Sequence, residues 1–255
     1  MTVIVTDQAR ASQTAKAQLA IRELILSGEL KPGDRISELS AVERFGISRT
    51  PIRMALVRLE EEGLLEAIPS GGFAVKAFSE TDIHDAIEVR GTLEGLAVRL
   101  AAERGVRDAI LTELHSCLAQ LDALVGFPRL TINDFSEYVA LNARFHSLLV
   151  AAAESPVLAR QIERVVNLPF ASASGFVMVQ AALPETRYIL TIAQDQHRCV
   201  LRAIEDREGA RADALMCEHA RLARRNLQLA LQDQGTRSLV PGAVLIGRRS
   251  VFQAL

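Results

Sequence analysis

Residues 37–75 read SELSAVERFGISRTPIRMALVRLEEEGLLEAIPSGGFAV, and the spacing of bulk and charge within them decides the fold. Ser48 is placed to cap a helix, its hydroxyl free to accept from a first-turn N–H, and Pro51 falls where a missing N–H costs little. At 100° per residue from Arg49, the side chains of Ile52, Ala55, Leu56 and Leu59 gather on one face, between about 240° and 340°. Arg49, Thr50, Arg53 and Val57 gather on the other, between about 0° and 100°. Upstream, SELSAVERFG predicts a helix of about two turns closed at Gly46, a residue suited to a left-handed C-cap. Downstream, Leu64 to Ile68 and Phe73 to Val75 flank Pro69-Ser70-Gly71-Gly72, which predicts a tight β-hairpin.

Two helices joined by a short turn, followed by a hairpin, form a winged helix-turn-helix. An arginine-faced helix that is apolar behind fits the major groove, where guanidinium groups grip phosphate or pair bidentately with guanine. Taken alone, the same helix would also read as a surface helix with solvated arginines. Between Arg44 and Leu59 there are four arginines and no acid, and three glutamates follow at once. The positive charge is therefore local to this helix.

GDRISELSAVERFGISRTPIRMALVRLEEEGLL resembles the N-terminal domain of the GntR family of bacterial transcription regulators. The resemblance implies that Arg49, Thr50 and Arg53 contact operator DNA and that Gly71 in the wing approaches the minor groove. Many members carry an arginine directly after the glutamate of the first helix; here Leu39 follows Glu38, so one contact is missing.

Working outward, 255 residues suffice for two modest domains. Net charge is −2, and residues 1–76 hold ten basic and ten acidic side chains. DNA binding would then depend on where the arginines stand and on dimerisation, with little bulk attraction. Three cysteines without close spacing suggest buried, reduced thiols and a cytoplasmic location. The start MTVIVTDQAR lacks the pattern of a signal peptide. No run approaches the roughly 18 apolar residues of a membrane span.

In chain order, residues 1–11 are expected to be loosely attached. Ala17, Ala20, Ile21, Leu24 and Ile25 then stripe a helix that ends at Gly28. After the wing, Ser79 caps a helix reaching about Glu103, and further helices are expected at 107–124, 132–153, 156–166, 185–206 and 209–232. Residues 167–184, interrupted by Pro169, Gly175 and Pro184, are undecided. The chain is thus mainly α: a winged helix-turn-helix over 12–76, an all-α antiparallel bundle over 79–232, and a tail, 233–255, whose apolar LVPGAVLI can dock against something.

Five histidines are present. Asn142 and His146 stand one helical turn apart on one side of a helix. His197 and His219 are each eleven residues from Glu208, the centre of a turn between two helices. In an antiparallel hairpin both then lie level, about 16 Å from the bend. Three imidazoles at one depth suit zinc, copper, iron or nickel; three separate hydrogen-bonded histidines are the plainer alternative. His84 and His115 have no partner at useful spacing. Arg90, in an otherwise apolar stripe, would clamp an anion or pair with Glu94 one turn on.

EVRGTLEGLAVRLAAER, NARFHSLLVAAAESPVLARQI and QDQHRCVLRAIEDREGARADALMCEHARLARRNL resemble the FCD effector domain of the FadR subfamily of GntR regulators. The resemblance implies a divalent metal, zinc or nickel, at Asn142, His146, His197 and His219, with a small carboxylate effector beside it. Asn142 stands where an acidic ligand is usual. Arg90, Arg187 and Tyr188 are the candidate effector contacts. The phrases RYILTIAQDQHR and EHARLARRNL are most similar to the vanillate-responsive VanR branch, which implies an aromatic acid as effector. The expectation is a homodimeric repressor, cytoplasmic and without a membrane segment, that binds double-stranded operator DNA and is not an enzyme. A metal-assisted hydrolase using the three histidines is the alternative, but the sequence shows no general base at matching depth and the hydrolase leaves the arginine-faced helix unexplained.

Overall fold

The fold is described from a computed structural model covering residues 2–127, 130–168, 170–174, 186–232, 235 and 240–247. It separates into two units: one runs to Asp82 and is rejoined by the chain from Pro241, and the other is Ile83–Val240.

In the first unit, α1 spans Thr2–Leu26, α2 Glu38–Phe45 and α3 Arg49–Glu61. Helix α1 begins well before the expected stripe, so residues 2–11, expected to be loosely attached, are helical; no glycine or proline precedes Gly28 to stop it. Ala17, Ile21 and Ile25 are buried and α1 packs on α3, whose Ile52, Ala55, Leu56 and Leu59 are fully buried. The α1–α3 contact is laced by Glu62, which accepts from Gln18 Nε2 at 2.6 Å and from Arg22. Ser37 caps α2 through a reciprocal box with Ser40, and Gly46 takes the left-handed conformation (φ 64°) that ends it. The expected Ser48 cap is corrected: Ser48 holds the N-cap position but its hydroxyl makes no cap bond, and only its carbonyl joins the helix, accepting from Ile52.

The wing forms as expected, with β2 (Leu65–Ala67) antiparallel to β3 (Phe73–Val75) and Ala67 opposite Phe73. Gly71 and Gly72 both hold positive φ in its turn, which other residues adopt at a cost. A third strand, β1 (Arg35–Ile36), pairs with β3 on the other side. Two residues are too short to show alternation, so β1 leaves no signal in the sequence.

Part of the tail completes this unit. A 3₁₀ turn, η1 (Ala243–Leu245), places Val244 against Gly28, while Gly242 N–H donates to Leu26 O at 3.1 Å. Phe78 N–H donates to Leu245 O at 2.8 Å and Gly247 N–H to Phe78 O at 3.0 Å. Leu245 and Ile246 are buried, at about 1.5–3 kcal/mol each. Truncation after Val240 is therefore expected to destabilise this unit by about 3–5 kcal/mol in thermal unfolding; an unchanged midpoint would show the tail to be dispensable.

The second unit is a helical bundle: the greater part of α4 (Glu80–Arg104), then α5 (Asp108–Gly126), α6 (Ile132–Ala152), α7 (Pro156–Val166), α8 (Thr186–Glu205) and α9 (Gly209–Gln232). Every expected helix here is present, its ends within about two residues, the usual uncertainty of helix ends. Residues 169 and 175–184 of the undecided stretch lie outside the described residues. Leu114, Leu121, Phe145, Val200 and Ile204 form its core. The cysteines are free, but only Cys117 is buried; Cys199 and Cys217 are half-covered, since each sits at the edge of its helix's apolar stripe.

Candidate ligand centre and DNA-facing helix

Helices α6, α8 and α9 each contribute one histidine to a single point. His146, His197 and His219 are buried, and their ligating nitrogens lie within 4.8 Å of one another. His197 Nε2 is 3.1 Å from His219 Nε2, which is 3.3 Å from His146 Nε2. The other nitrogen of each ring faces an acceptor. His146 Nδ1 lies 3.0 Å from Glu94 Oε1, His197 Nδ1 3.1 Å from Gln194 Oε1, and His219 Nδ1 3.1 Å from Gln196 Oε1. The orientation of Gln194 is fixed, because its Nε2 donates to Leu118 O and Asp122 Oδ1. Protons therefore belong on Nδ1, and three Nε2 lone pairs converge.

Lone pairs this close repel unless a cation lies between them. Burial, and then the charge of neighbouring histidines, pushes His197 and His219 well below the usual histidine pKa, so neither of these two rings supplies that cation at neutral pH. A metal fits. Two imidazole nitrogens 2.0–2.1 Å from a tetrahedral ion stand about 3.3 Å apart, close to both separations observed. The acceptors behind each Nδ1 are what metal-bound histidines ordinarily have.

Asn142, one turn before His146, is buried; its Nδ2 donates to Ser174 Oγ at 2.9 Å, which leaves Oδ1 as its remaining acceptor. Arg90 pairs with Glu94 at 2.7 Å, with both side chains buried. Burial alone would raise the Glu94 pKa, but His146 and Arg90 outweigh it and hold the carboxyl below its ordinary value. The chain Arg90–Glu94–His146 thus runs from α4 to the centre. The sequence hinted at the first link through the i,i+4 spacing; the roles of Gln194 and Gln196 left no such signal.

Two cavities flank the histidines. The larger, about 500 Å³, is bordered by Glu94 and His146, with Val139, Val150 and Ile162 as apolar wall and Ser147, Ser172 and Ser174 as hydroxyls. The smaller, about 30 Å³, touches Arg90, Asn142, His219 and Asn226, and among the described residues neither Arg90 Nε nor Asn226 Oδ1, both buried, has a hydrogen-bond partner. Arg187 and Tyr188 border neither cavity. Tyr188 is exposed and Arg187 donates to Gly126 O; both lie near the start of α8, about 15 Å along the helix from His197.

Close packing of α4 on α9 holds His219 in place. A Cβ on Gly91 would come within 2.6 Å of the Cβ of Ala220. Gly91→Ala is expected to cost about 1–3 kcal/mol despite alanine's better helix propensity, measured by urea unfolding; a stabilised variant would mean that α9 shifts freely.

In the first unit, α3 presents the arginine face predicted. The Arg49 and Arg53 side chains are 82% and 71% exposed, Thr50 is exposed beside them, and Gly71 is exposed at the wing tip. Glu38 contacts both arginines.

A winged helix-turn-helix with an open arginine face, in one chain with a helical bundle that encloses a buried histidine cluster, is the architecture of a DNA-binding transcription regulator. The profile of the bacterial regulatory proteins of the gntR family matches residues 13–75, and that of the FCD domain matches residues 85–222. The chain belongs to the GntR family of transcriptional regulators and carries an FCD domain. It is 32% identical over 148 residues to the HTH-type transcriptional regulator YdhC of Bacillus subtilis strain 168, covering 58% of this chain and 64% of that protein. It is 26% identical to the HTH-type transcriptional repressor GlaR of Escherichia coli K12, over 76% of this chain and 86% of GlaR. The E. coli McbR/YncC structure shares the fold, with TM-score 0.57 and 21% identity over 86% of this chain and 97% of that one. Among the described residues no helix is long and apolar enough to cross a membrane.

Proposed function

We propose that this regulator is a repressor, acting as a homodimer in the cytoplasm, whose hold on operator DNA is released by a small carboxylate bound beside a metal in the helical unit. The observation that carries the reading is the convergence of three Nε2 lone pairs, each ring fixed from behind through Nδ1. His146, His197 and His219 would hold the ion, with Asn142 Oδ1 as a weaker fourth ligand; imidazole favours zinc or nickel. When bound, the metal supplies positive charge and an open coordination position for an anion.

Arg49, Thr50, Arg53 and Gly71 are the groups that would meet DNA, with the two arginines reading guanine or phosphate. A dimer would present two such faces to a two-fold symmetric operator. Release requires an effector that binds more tightly to the arrangement that cannot engage both half-sites. A relative named as a repressor supports that sign.

Within the family we place the chain with the FadR subfamily and its vanillate-responsive VanR branch, on the phrases quoted above. The cavity of about 500 Å³ is of ordinary size for a small-molecule site, and its wall joins apolar side chains to hydroxyls, as a hydroxylated aromatic acid requires. Arg90 has one nitrogen committed to Glu94 and Nε unpartnered, so it remains a candidate for an anionic group entering the smaller cavity. Arg187 and Tyr188 border neither cavity and have less support as effector contacts than Arg90. Turnover finds less support than binding: of the two carboxylates bordering the larger cavity, Glu94 is engaged by Arg90 and His146 and Glu163 is exposed.

Chelator competition with zinc tests the centre. Wild-type protein is expected to take one zinc per chain, and His146→Ala or His197→Ala to weaken it at least a hundredfold. Equal affinity in those variants would place any metal elsewhere.

A further inference from the structure

Glu38 is the first residue of α2, where a carboxylate is favoured by the helix dipole. Its side chain is 23% exposed, far less than the two arginines it meets. Arg49 donates from Nε to Glu38 Oε2 at 2.6 Å, and Arg53 Nε stands 3.7 Å from Glu38 Oε1. One carboxylate thus lies between two guanidiniums one helical turn apart. Exposed ion pairs stabilise a fold little, so stability does not account for the arrangement.

Arg49 is hydrogen-bonded through Nε, and Arg53 turns the same nitrogen towards the carboxylate as an ion-pair contact, too long for a hydrogen bond. A guanidinium anchored there keeps its Nη1–Nη2 edge turned away from the carboxylate, and that edge is the one that pairs with guanine O6 and N7. The carboxylate also repels phosphate, which discourages both arginines from sinking onto the backbone beside it. Its neighbour Leu39 is exposed and uncharged, so no adjacent cation on α2 cancels that repulsion.

We propose that Glu38 is a positioning residue for sequence discrimination, holding Arg49 by a hydrogen bond to Nε and drawing Arg53 Nε towards it by charge, so that their outer edges read guanines and not phosphates. The inference rests on the assignment of Arg49 and Arg53 as the DNA-reading groups. Loss of Glu38 then frees the arginines for any phosphate: random DNA binds better while the preferred sequence gains nothing.

The test uses the full-length protein, a duplex that the wild type selects from a random pool, and a random-sequence duplex of equal length, with affinities measured across a range of salt. Glu38→Gln is expected to lower the ratio of selected to random affinity on the order of tenfold, within the range of a lost bidentate contact. Its salt dependence on random DNA should steepen by about one counterion, with the unfolding midpoint unchanged. Glu38→Asp, too short to reach both arginines, should fall between. A ratio unchanged in Glu38→Gln, while Arg49→Ala and Arg53→Ala lose the preference, overturns the positioning role alone. A preference that survives Arg49→Ala and Arg53→Ala overturns the assignment on which it rests.

Discussion

Glu94→Ala is expected to destabilise the helical unit by about 3–5 kcal/mol, the cost of leaving a buried charge without its partner. Arg90 and Glu94 are 1% and 3% exposed, so only water entering from the cavity that Glu94 borders could stand in for the missing carboxylate, and it would bring no charge. Arg90 would keep its charge with no anion beside it, and its Nε is already unpartnered. His146 Nδ1 would lose its acceptor, adding a buried unpaired donor. A pair replaced whole should behave differently: Arg90→Met with Glu94→Leu removes both charges and should recover most of the loss. Urea unfolding of the three variants checks this. Equal destabilisation in single and double variants would mean that packing, not charge, dominates the site.

Zinc is expected to stabilise the metal-free protein by about 4 kcal/mol when free zinc stands a thousandfold above its dissociation constant. For a unit of this size that raises the midpoint by on the order of 10 °C. His219→Ala should abolish the shift, because it removes the nitrogen within 3.3 Å of both others. Without metal, pH should matter in a defined direction. His197 and His219 have depressed pKa values in the folded chain, so the unfolded chain binds more protons below its ordinary value of about 6.5. The stability of the metal-free protein is then complete above about pH 6.5 and falls below it, by up to about 1.4 kcal/mol per pH unit for each histidine. Zinc competes with those protons and should move the decline to lower pH. A midpoint indifferent to zinc in the wild type would count against a metal at this centre.

The two parts of the molecule were legible in the sequence to different degrees. Helix α3 was plain because its buried and exposed residues separate at a 3.6-residue period, with Gly46 marking the turn before it. The histidines could be brought together by counting from the α8–α9 turn, since antiparallel helices convert equal distance along the chain into equal height. What the count could not show was which groups stand behind the rings. Glu94, Gln194 and Gln196 act through rotamers set by packing, and Gln194 is itself held by a carbonyl and a carboxylate on α5. The place of the tail was hidden for a related reason. LVPGAVLI is apolar whatever it covers, and only the fold shows that Val244 and Leu245 meet Gly28 and Phe78. Strand β1 depends wholly on β3 for its definition.

Tying the histidine centre to the arginine face requires that ligand and DNA compete for one population of molecules. The most direct measurement is fluorescence anisotropy of zinc-loaded, full-length protein on the DNA upstream of its own gene, at fixed salt, titrated with vanillate. The expected result is binding well above that of random-sequence DNA, reversed by vanillate in the wild type and unaffected by it in His219→Ala. Binding no tighter than to random DNA would contradict the reading of α3, and specific binding that neither vanillate nor any other small carboxylate reverses would contradict the link between the two sites.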